Sequence, residues 1–335
     1  MDGALISIVI PAWNALRWLP ETLESVMGQE GVRLEVVLVD DGSTDGTGDY
    51  VAQVWPQVRL IQTENRGVSH ARNLGTAAAH GDFVKYLDAD DVLLPGTLAR
   101  QAALLVANPG SDAVYGNWQR LDEQADGRFA PGEIIRRSIE EVDADPELAF
   151  FATFWCPTGA YLYRRVFLEK ILPWKEWLPV IQDARFAWDA AAAGARWVHD
   201  EEIAVLYRQH RADSVSTRSR VAFLRDCLAN TVSIHQAWSR PMHLEKASVK
   251  RARIVEAVAS LARQAAPLDE QLFHECVCLL DGLCPGYHPP GPRWLALCAR
   301  LIGYAQAAKF AGLGDRLRQQ FFSFFRNASL SNQRP

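Results

Sequence analysis

The chain predicts an α/β domain, built on a doubly wound and mostly parallel sheet, followed by an α-helical C-terminal domain. Three observations carry this. Short runs rich in Val, Ile and Leu alternate with helix-length segments up to about residue 120, the pattern of successive βα units. The apolar runs are continuous rather than alternating, as expected of strands buried on both faces. Beyond about residue 215 the texture changes to long helical patterns.

In chain order, Leu5–Ile10, Leu34–Val39, Val58–Ile61 and Phe83–Leu87 predict strands. Leu16–Gln29, Thr44–Val54 and Val68–His80 are long enough for the crossover helices between them, with Ser43, Thr44 and Ser69 as N-caps. Leu93–Ala107 reads as a further helix and Ala113–Leu121 as a further strand. Residues 122–155 are irregular and acidic, a loop expected over the active edge of the sheet. A helix over Ala184–Ala193 and an extended stretch over Ala195–Tyr207 complete the first domain, placed at 1–215. The second, 216–335, holds helical patterns at Val221–Trp238, Glu245–Gln264, Leu268–Leu280 and Trp294–Phe310, broken by the Pro/Gly-rich linker 285–292.

Composition excludes several classes. Of 335 residues, 49% are hydrophobic, 22% charged and 10% aromatic, the profile of a globular protein. A net charge of −5 is too mild for a general nucleic-acid binder. The charge is uneven: residues 300–335 carry +5, leaving −10 on the rest. No stretch reaches the roughly 18 uncharged apolar residues of a membrane span, and Met1-Asp2-Gly3 opens without the basic region of a signal peptide. Six cysteines, most of them late in the chain, do not make a disulfide scaffold, so a reduced, cytoplasmic protein is the expectation. Cys276, Cys278, Cys284 and Cys298 do not fit the paired spacing of zinc sites, and buried thiols are the simpler reading.

Ligands of open α/β sheets collect at the carboxyl ends of the strands. Those ends read Pro11-Ala12-Trp13-Asn14, Asp40-Asp41-Gly42-Ser43, Glu64-Asn65-Arg66-Gly67 and Asp88-Ala89-Asp90-Asp91. Two acidic clusters and an Arg-bearing loop thus fall on one edge. In an extended Asp88-Ala89-Asp90 the two carboxylates point to opposite sides, and hard oxygens beside a diphosphate suit Mg²⁺ or Mn²⁺. The plain alternative is a capped turn leading into the next helix.

Taken together, Ile8–Asn14, Val39–Asp45, Asn65–Gly75 and Leu87–Asp91 resemble the family-2 glycosyltransferases of the GT-A fold, in order and spacing. The resemblance implies an inverting enzyme that moves a sugar from a nucleotide diphosphate to an acceptor hydroxyl, usually with a divalent metal. It places Pro11, Ala12, Trp13 and Asn14 along the nucleoside pocket and Asp40 or Asp41 on the base. Asn65 and Arg72 fall in the donor-binding blocks, with Arg72 toward the phosphates. Asp88 and Ala89 stand near the ribose, and Asp90 on the metal. These roles are chemically sound: a carboxylate accepts an imide N–H, and Arg neutralises phosphate. For Trp13 a hydrophobic plug competes with base stacking.

Downstream, Ile181-Gln182-Asp183-Ala184 stands where the family usually has Glu-Asp at a helix start. Asp183 is the implied general base, against a plain first-turn Asp. Gln182 replaces the usual acid, and Asp189 stands where the family often has Arg; both put the acceptor class in question. Tyr207-Arg208-Gln209-His210 resembles a late segment in which His210 joins Asp90 as a metal ligand, and Arg208, Arg211 and Arg218 are offered as phosphate clamps against plain solvated charge. Trp155–Gly159, Trp174 and Trp177 fit either an acceptor platform or core packing. Residues 315–327 form an amphipathic basic helix that docks on its own domain or on an anionic membrane surface.

The expected partners are therefore a UDP- or dTDP-type sugar donor, Mn²⁺ or Mg²⁺, and a glycan, lipid-linked or other hydroxyl acceptor, in bacterial surface polysaccharide or glycoconjugate synthesis. No nucleic acid is expected; peripheral membrane contact through the basic helix stands as the alternative to docking on its own domain, and a homo-oligomer is compatible. Two rivals compete. A phosphoacceptor receiver would need its Asp after the third strand, where Thr63-Glu64-Asn65 stands. A sugar-nucleotide-binding module that has lost catalysis draws support from Gln182.

Overall fold

The continuous apolar runs pair into one sheet because no other arrangement covers both of their faces. The computed structural model describes residues 4–209, 219–239, 244–287 and 306. The chain divides into two compact units at residues 218 and 219. In the first unit the strands are β1 (Leu5–Ala12), β2 (Arg33–Asp41), β3 (Arg59–Thr63), β4 (Phe83–Tyr86), β5 (Val92–Leu93), β6 (Ala113–Glu123), β7 (Phe129–Ile135), β8 (Tyr161–Arg164) and β9 (Trp197–Gln209). They lie in the order β3-β2-β1-β4-β8-β6-β9-β5, with β7 paired to β6. The first four are mutually parallel, and β9 runs parallel to β6. The remaining pairings, β4 with β8, β8 with β6, β6 with β7 and β9 with β5, are antiparallel.

Among the described residues the α-helices that accompany them are α1 (Leu19–Met27), α2 (Thr47–Val54), α3 (Val68–Ala78), α4 (Thr97–Ala107), α5 (Pro146–Ala152), α6 (Arg165–Leu168) and α7 (Gln182–Ala192). Ile6, Ile8, Ile10, Val37, Val39 and Val84 are fully buried, and each such burial stabilises by about 1.5–3 kcal/mol before entropy is counted. α3 lies close on β1 because residue 75 is glycine; a Cβ there would stand 2.5 Å from Val9 Cγ1.

The boundaries depart from expectation for local reasons. α1 starts at Leu19 rather than Leu16, since Ala15–Trp18 closes a turn and Pro20 favours the first helical positions. Ser43 and Thr44 do not cap α2; Asp45 Oδ1 accepts the Thr47 N–H at 3.0 Å instead. Ser69 lies inside α3, which begins after Gly67 at φ 96°. Residues 122–155 are not one loop: they hold the end of β6, the hairpin partner β7 and α5, capped by Asp145 on the Glu147 N–H.

The second unit contains α8 (Arg220–Trp238), α9 (Leu244–Ala265) and α10 (Glu270–Leu283). Ser219 caps α8, and Asp269 caps α10 while pairing with Arg225 at 2.7 Å. Cys276 is buried and Cys278 exposed, the two-residue spacing turning them to different faces. His210, Arg211, Arg218, Cys298, the basic segment 315–327 and, apart from Gln306, the expected helix Trp294–Phe310 lie outside the described residues.

Candidate active site

β2 and β4 flank β1, and all three are parallel, so their carboxyl ends share one edge of the sheet. With strands roughly 4.8 Å apart, the Asp40-Asp41 and Asp88–Asp91 groups stand about two strand spacings from each other. The β1 and β2 ends are laced together. Asn14, at φ 49°, accepts the Thr44 N–H at 2.8 Å, and its own N–H donates to Ser43 Oγ at 2.8 Å. Gly42, at φ 76°, brings the β2 end against the loop after β3; an added Cβ would lie 2.7 Å from the Asn65 nitrogen.

Asp40 and Asp41 are both buried, with different duties. Asp41 accepts the Arg66 and Gly67 N–H groups at 2.9 and 2.8 Å, so both of its oxygens hold the 64–67 loop and the start of α3. Asp40 accepts the Ser43 N–H at 3.0 Å through Oδ1, while Oδ2 meets only a long 3.4 Å contact from Gln62. Asp40 is therefore the less committed of the pair. Pro11 and Ala12 are buried in the last turn of the β1 ladder. Trp13 is 46% exposed at this edge, which excludes a buried plug.

After β4 the chain does not stay extended. The Leu87 N–H donates to Val9 O, the Asp91 N–H donates back to Asp88 O at 3.1 Å, and Thr22 Oγ1 donates to Ala89 O at 3.0 Å. The Asp88–Asp91 segment is thus a turn, and the expected strand-like disposition of its carboxylates is replaced by a turn-like one. Arg72 Nη2 donates to Asp88 Oδ1 at 2.5 Å, and the guanidinium lies 4.4 Å over the Trp174 ring. Trp174 in turn stacks on Phe186 at 3.8 Å. Arg72 is buried, and its Nε and Nη1 have no protein partner. A fixed guanidinium with two uncommitted N–H groups suits an anionic ligand.

Asp91 is fully buried: Oδ1 accepts the Arg208 N–H at 3.0 Å and Oδ2 has no partner. Burial, then the Asp90 and Asp88 charges, push its carboxyl well above the usual range. Arg208 does not stand as a phosphate clamp. It is buried between Trp18 (4.8 Å) and Phe129 (4.6 Å), donates to Asp90 O at 2.8 Å, and pairs with Glu21 at 2.6 Å. It props the turn from β9. The donor set of the turn fits Mg²⁺ or Mn²⁺: crowded carboxylates with an orphaned buried oxygen are hard ligands in need of a cation. Among the described residues no three His, Cys, Asp or Glu side chains form a ready-made cage.

On the far side of the turn, Asp183 lies in the first turn of α7. Oδ2 accepts the Trp155 indole N–H at 2.8 Å. Burial pushes the Asp183 carboxyl up; the Trp155 hydrogen bond, the Ala184 N–H and the Arg72 charge pull it down, and Asp88 adds to the rise. Burial also raises Tyr207, with Asp91, Asp183, Asp88 and Asp90 contributing. Electrostatic contact of one tyrosine with all four carboxylates joins α7 to the β4 turn. Asp189 pairs with Arg185 at 2.8 Å and Lys175 at 3.6 Å, an internal tie of α7 and the loop before it. Asn73 clamps Trp174 through both backbone groups, at 3.1 and 2.7 Å.

Sequence reasoning passed over Asp91, Asn73 and Trp118, whose ring packs edge-on against Trp155 at 5.3 Å. Asp91 followed a recognised triplet directly and could have been found by asking why a third carboxylate stands there. Nothing local singles out Trp118 within its strand or Asn73 within its helix.

Residues 7–172 match the family model described as Glycosyl transferase family 2. An uncharacterized glycosyltransferase of Nostoc sp. is 32% identical over 189 residues, covering 51% of this chain and 56% of that protein. Glycosyltransferase GlyG of Streptococcus pneumoniae is 36% identical over 132 residues (37% of this chain, 42% of that one), and the succinoglycan biosynthesis protein ExoO of Rhizobium meliloti is 43% identical over 97 (28% of each). The chain thus spans about half or less of the curated relatives it matches. Among solved structures, S. aureus TarS 1-349 in complex with UDP-GlcNAc superposes with a TM-score of 0.66 at 20% identity, over 94% of this chain and 92% of that one. Mannosyltransferase PcManGT from Pyrobaculum calidifontis, in complex with GDP-Man and Mn²⁺, gives 0.53 at 20%, over 95% and 88%. The α/β fold with a helical C-terminal region is that of these GT-A neighbours.

Proposed function

The chain belongs to glycosyl transferase family 2 through residues 7–172, and from that premise we propose that it is an inverting transferase moving a sugar from a UDP- or dTDP-type donor to an acceptor hydroxyl. The observation that carries this reading is the buried Arg72, held on Asp88 with two N–H groups uncommitted, at the edge where Asp40 also stands.

In the proposed reaction, Asp183 takes the proton of the acceptor hydroxyl as that oxygen attacks the anomeric carbon. The bond from this carbon to the diphosphate oxygen breaks, and its electron pair leaves on the nucleoside diphosphate. In-line attack inverts the anomeric centre. Arg72 stabilises the charge that gathers on the leaving group. Asp40 accepts from the base, with Trp13 beside it. Mn²⁺ or Mg²⁺, held by Asp90 with His210, would neutralise the diphosphate. A carboxylate raised by burial is a stronger base than a solvated one, which suits Asp183. A role in bacterial surface polysaccharide or glycoconjugate synthesis draws on relatives such as ExoO. No described helix is long and apolar enough to cross a membrane, and a cytoplasmic enzyme working at the membrane's inner face is the proposed setting.

The test is nucleotide release from a panel of UDP-, dTDP- and GDP-sugars by the full chain with Mn²⁺. One UDP- or dTDP-sugar should turn over, and Asp183→Asn should cut its kcat by about 10²–10⁴ while leaving UDP affinity intact. Undiminished transfer in Asp183→Asn refutes the base. UDP binding without release from any donor would favour the non-catalytic module instead.

A further inference from the structure

Asp183 is not left to rotate freely at the start of α7. The indole Nε1 of Trp155 donates to its Oδ2 at 2.8 Å, from a segment 28 residues earlier. The indole is itself held edge-on by Trp118 and by Tyr207, each at 5.3 Å between ring centroids. Those two rings come from β6 and β9 and pack on one another at 5.7 Å. On either side of Trp155, Phe154 and Cys156 are buried, Phe154 against Tyr115 and Phe150. The half-buried indole is therefore held by these two rings and by its buried chain neighbours, and the carboxyl it meets is held with it.

The type of donor matters. A cation at this place would neutralise the carboxylate and make it a poor proton acceptor. A neutral N–H favours the ionised form by a smaller margin and leaves the negative charge available. Burial works against ionisation at Asp183, and the groups facing it are Trp155, the Ala184 N–H, Arg72, Asp88, Tyr207 and Tyr161. Among these the indole makes the one side-chain hydrogen bond to the carboxyl.

We propose that Trp155 is a positioning residue for the base: its indole N–H occupies Oδ2, fixes the rotation of the Asp183 carboxyl, and so presents Oδ1 to the acceptor hydroxyl. The inference rests on the reading of Asp183 as general base. The proton of the acceptor passes to Oδ1, the acceptor oxygen bonds to the anomeric carbon, and the electron pair of the broken bond departs on the nucleoside diphosphate. Once Asp183 is neutral, its bond to the indole weakens, and loss of the proton to solvent restores it.

Turnover of the sugar nucleotide selected by the donor panel separates this role from plain packing. Trp155→Phe keeps an aromatic ring between Trp118 and Tyr207 and deletes the donor together with part of the ring volume, whereas benzothienylalanine deletes the donor at nearly unchanged shape. It should lower kcat about tenfold, leave donor KM and UDP affinity unchanged, and move the acid limb of the kcat profile up by about one pH unit. In a spectrum of ¹⁵N-indole-labelled protein, the Trp155 resonance should shift with the ionisation of Asp183 and stop doing so in Asp183→Asn. If Trp155→Phe fails to fold, benzothienylalanine at position 155, which replaces the N–H by sulfur at similar shape, gives the same kinetic readout. A wild-type kcat and pH profile without the donor, while Asp183→Asn is inactive, overturns this role and leaves the base reading standing. Full turnover in Asp183→Asn removes the base reading and this role together.

Discussion

Lys85 sits in the middle of β4, fully buried, with Nζ donating to Gly159 O at 2.6 Å and Tyr161 O at 2.9 Å. These carbonyls belong to the short turn and strand that follow Trp155, so the amine ties the β4 strand to that segment. Burial pushes the amine down to about 7 from 10.5, partly offset by Asp200 and reinforced by Arg100. Between these two values the unfolded chain binds a proton that the folded one does not, so stability rises with pH across the window. Integrating the two titrations gives a gain of about 3 kcal/mol between pH 7 and roughly 9.5. The neutral amine keeps two N–H donors for the same carbonyls, so the gain comes without loss of the ties. Lys85→Met removes the titration and should remove this share of the slope, whatever its fixed cost from two carbonyls left without a donor, about 1–3 kcal/mol each. Urea denaturation followed by tryptophan fluorescence at several pH values measures it. Cys156, raised by burial to about 12, slopes the other way but equally in both proteins. Equal pH slopes for wild type and Lys85→Met would refute the argument.

Other consequences are as direct. UDP with Mn²⁺ should stabilise the protein by about 2.7 kcal/mol at a hundred times Kd, and a thermal-shift measurement should show the Mn²⁺-dependent part vanish in Asp90→Ala. Gly42→Ala places a methyl against the Asn65 nitrogen at a positive φ; a loss of about 1–2 kcal/mol, read by urea denaturation, should accompany weaker UDP binding by calorimetry. Arg208→Lys loses the fork that joins Asp90 O to Glu21 and part of the contact with Trp18 and Phe129, costing about 2–3 kcal/mol; an unchanged melt would show that the turn needs no prop.

The sequence by itself determined the parallel core and which polar groups fall at its edge. Each signal there is local: a continuous apolar run ending in Asp40-Asp41-Gly42, or in Asp88-Ala89-Asp90, names both a strand and the group at its tip. Even the separation of Cys276 from Cys278 follows from helical period alone. Errors within reach of local rules were small, such as Asp45 in place of Ser43 as the side chain that accepts from the first N–H of α2, whose N-cap is Gly46.

Tertiary structure decided what those tips do. A four-residue strand, β8, enters the sheet between β4 and β6 and reverses its direction there; so short a run has no periodicity to read. The prop of Arg208 on Asp90 spans 118 residues and the tie of Lys85 to Gly159 spans 74. Neither lysine nor arginine announces burial in sequence, because only the finished fold supplies the carbonyls and aromatic faces that make burial tolerable. The division of labour between Asp40 and Asp41 and the indole on Asp183 arise the same way, from backbone and ring donors that meet a carboxylate after the crossovers have brought distant segments together.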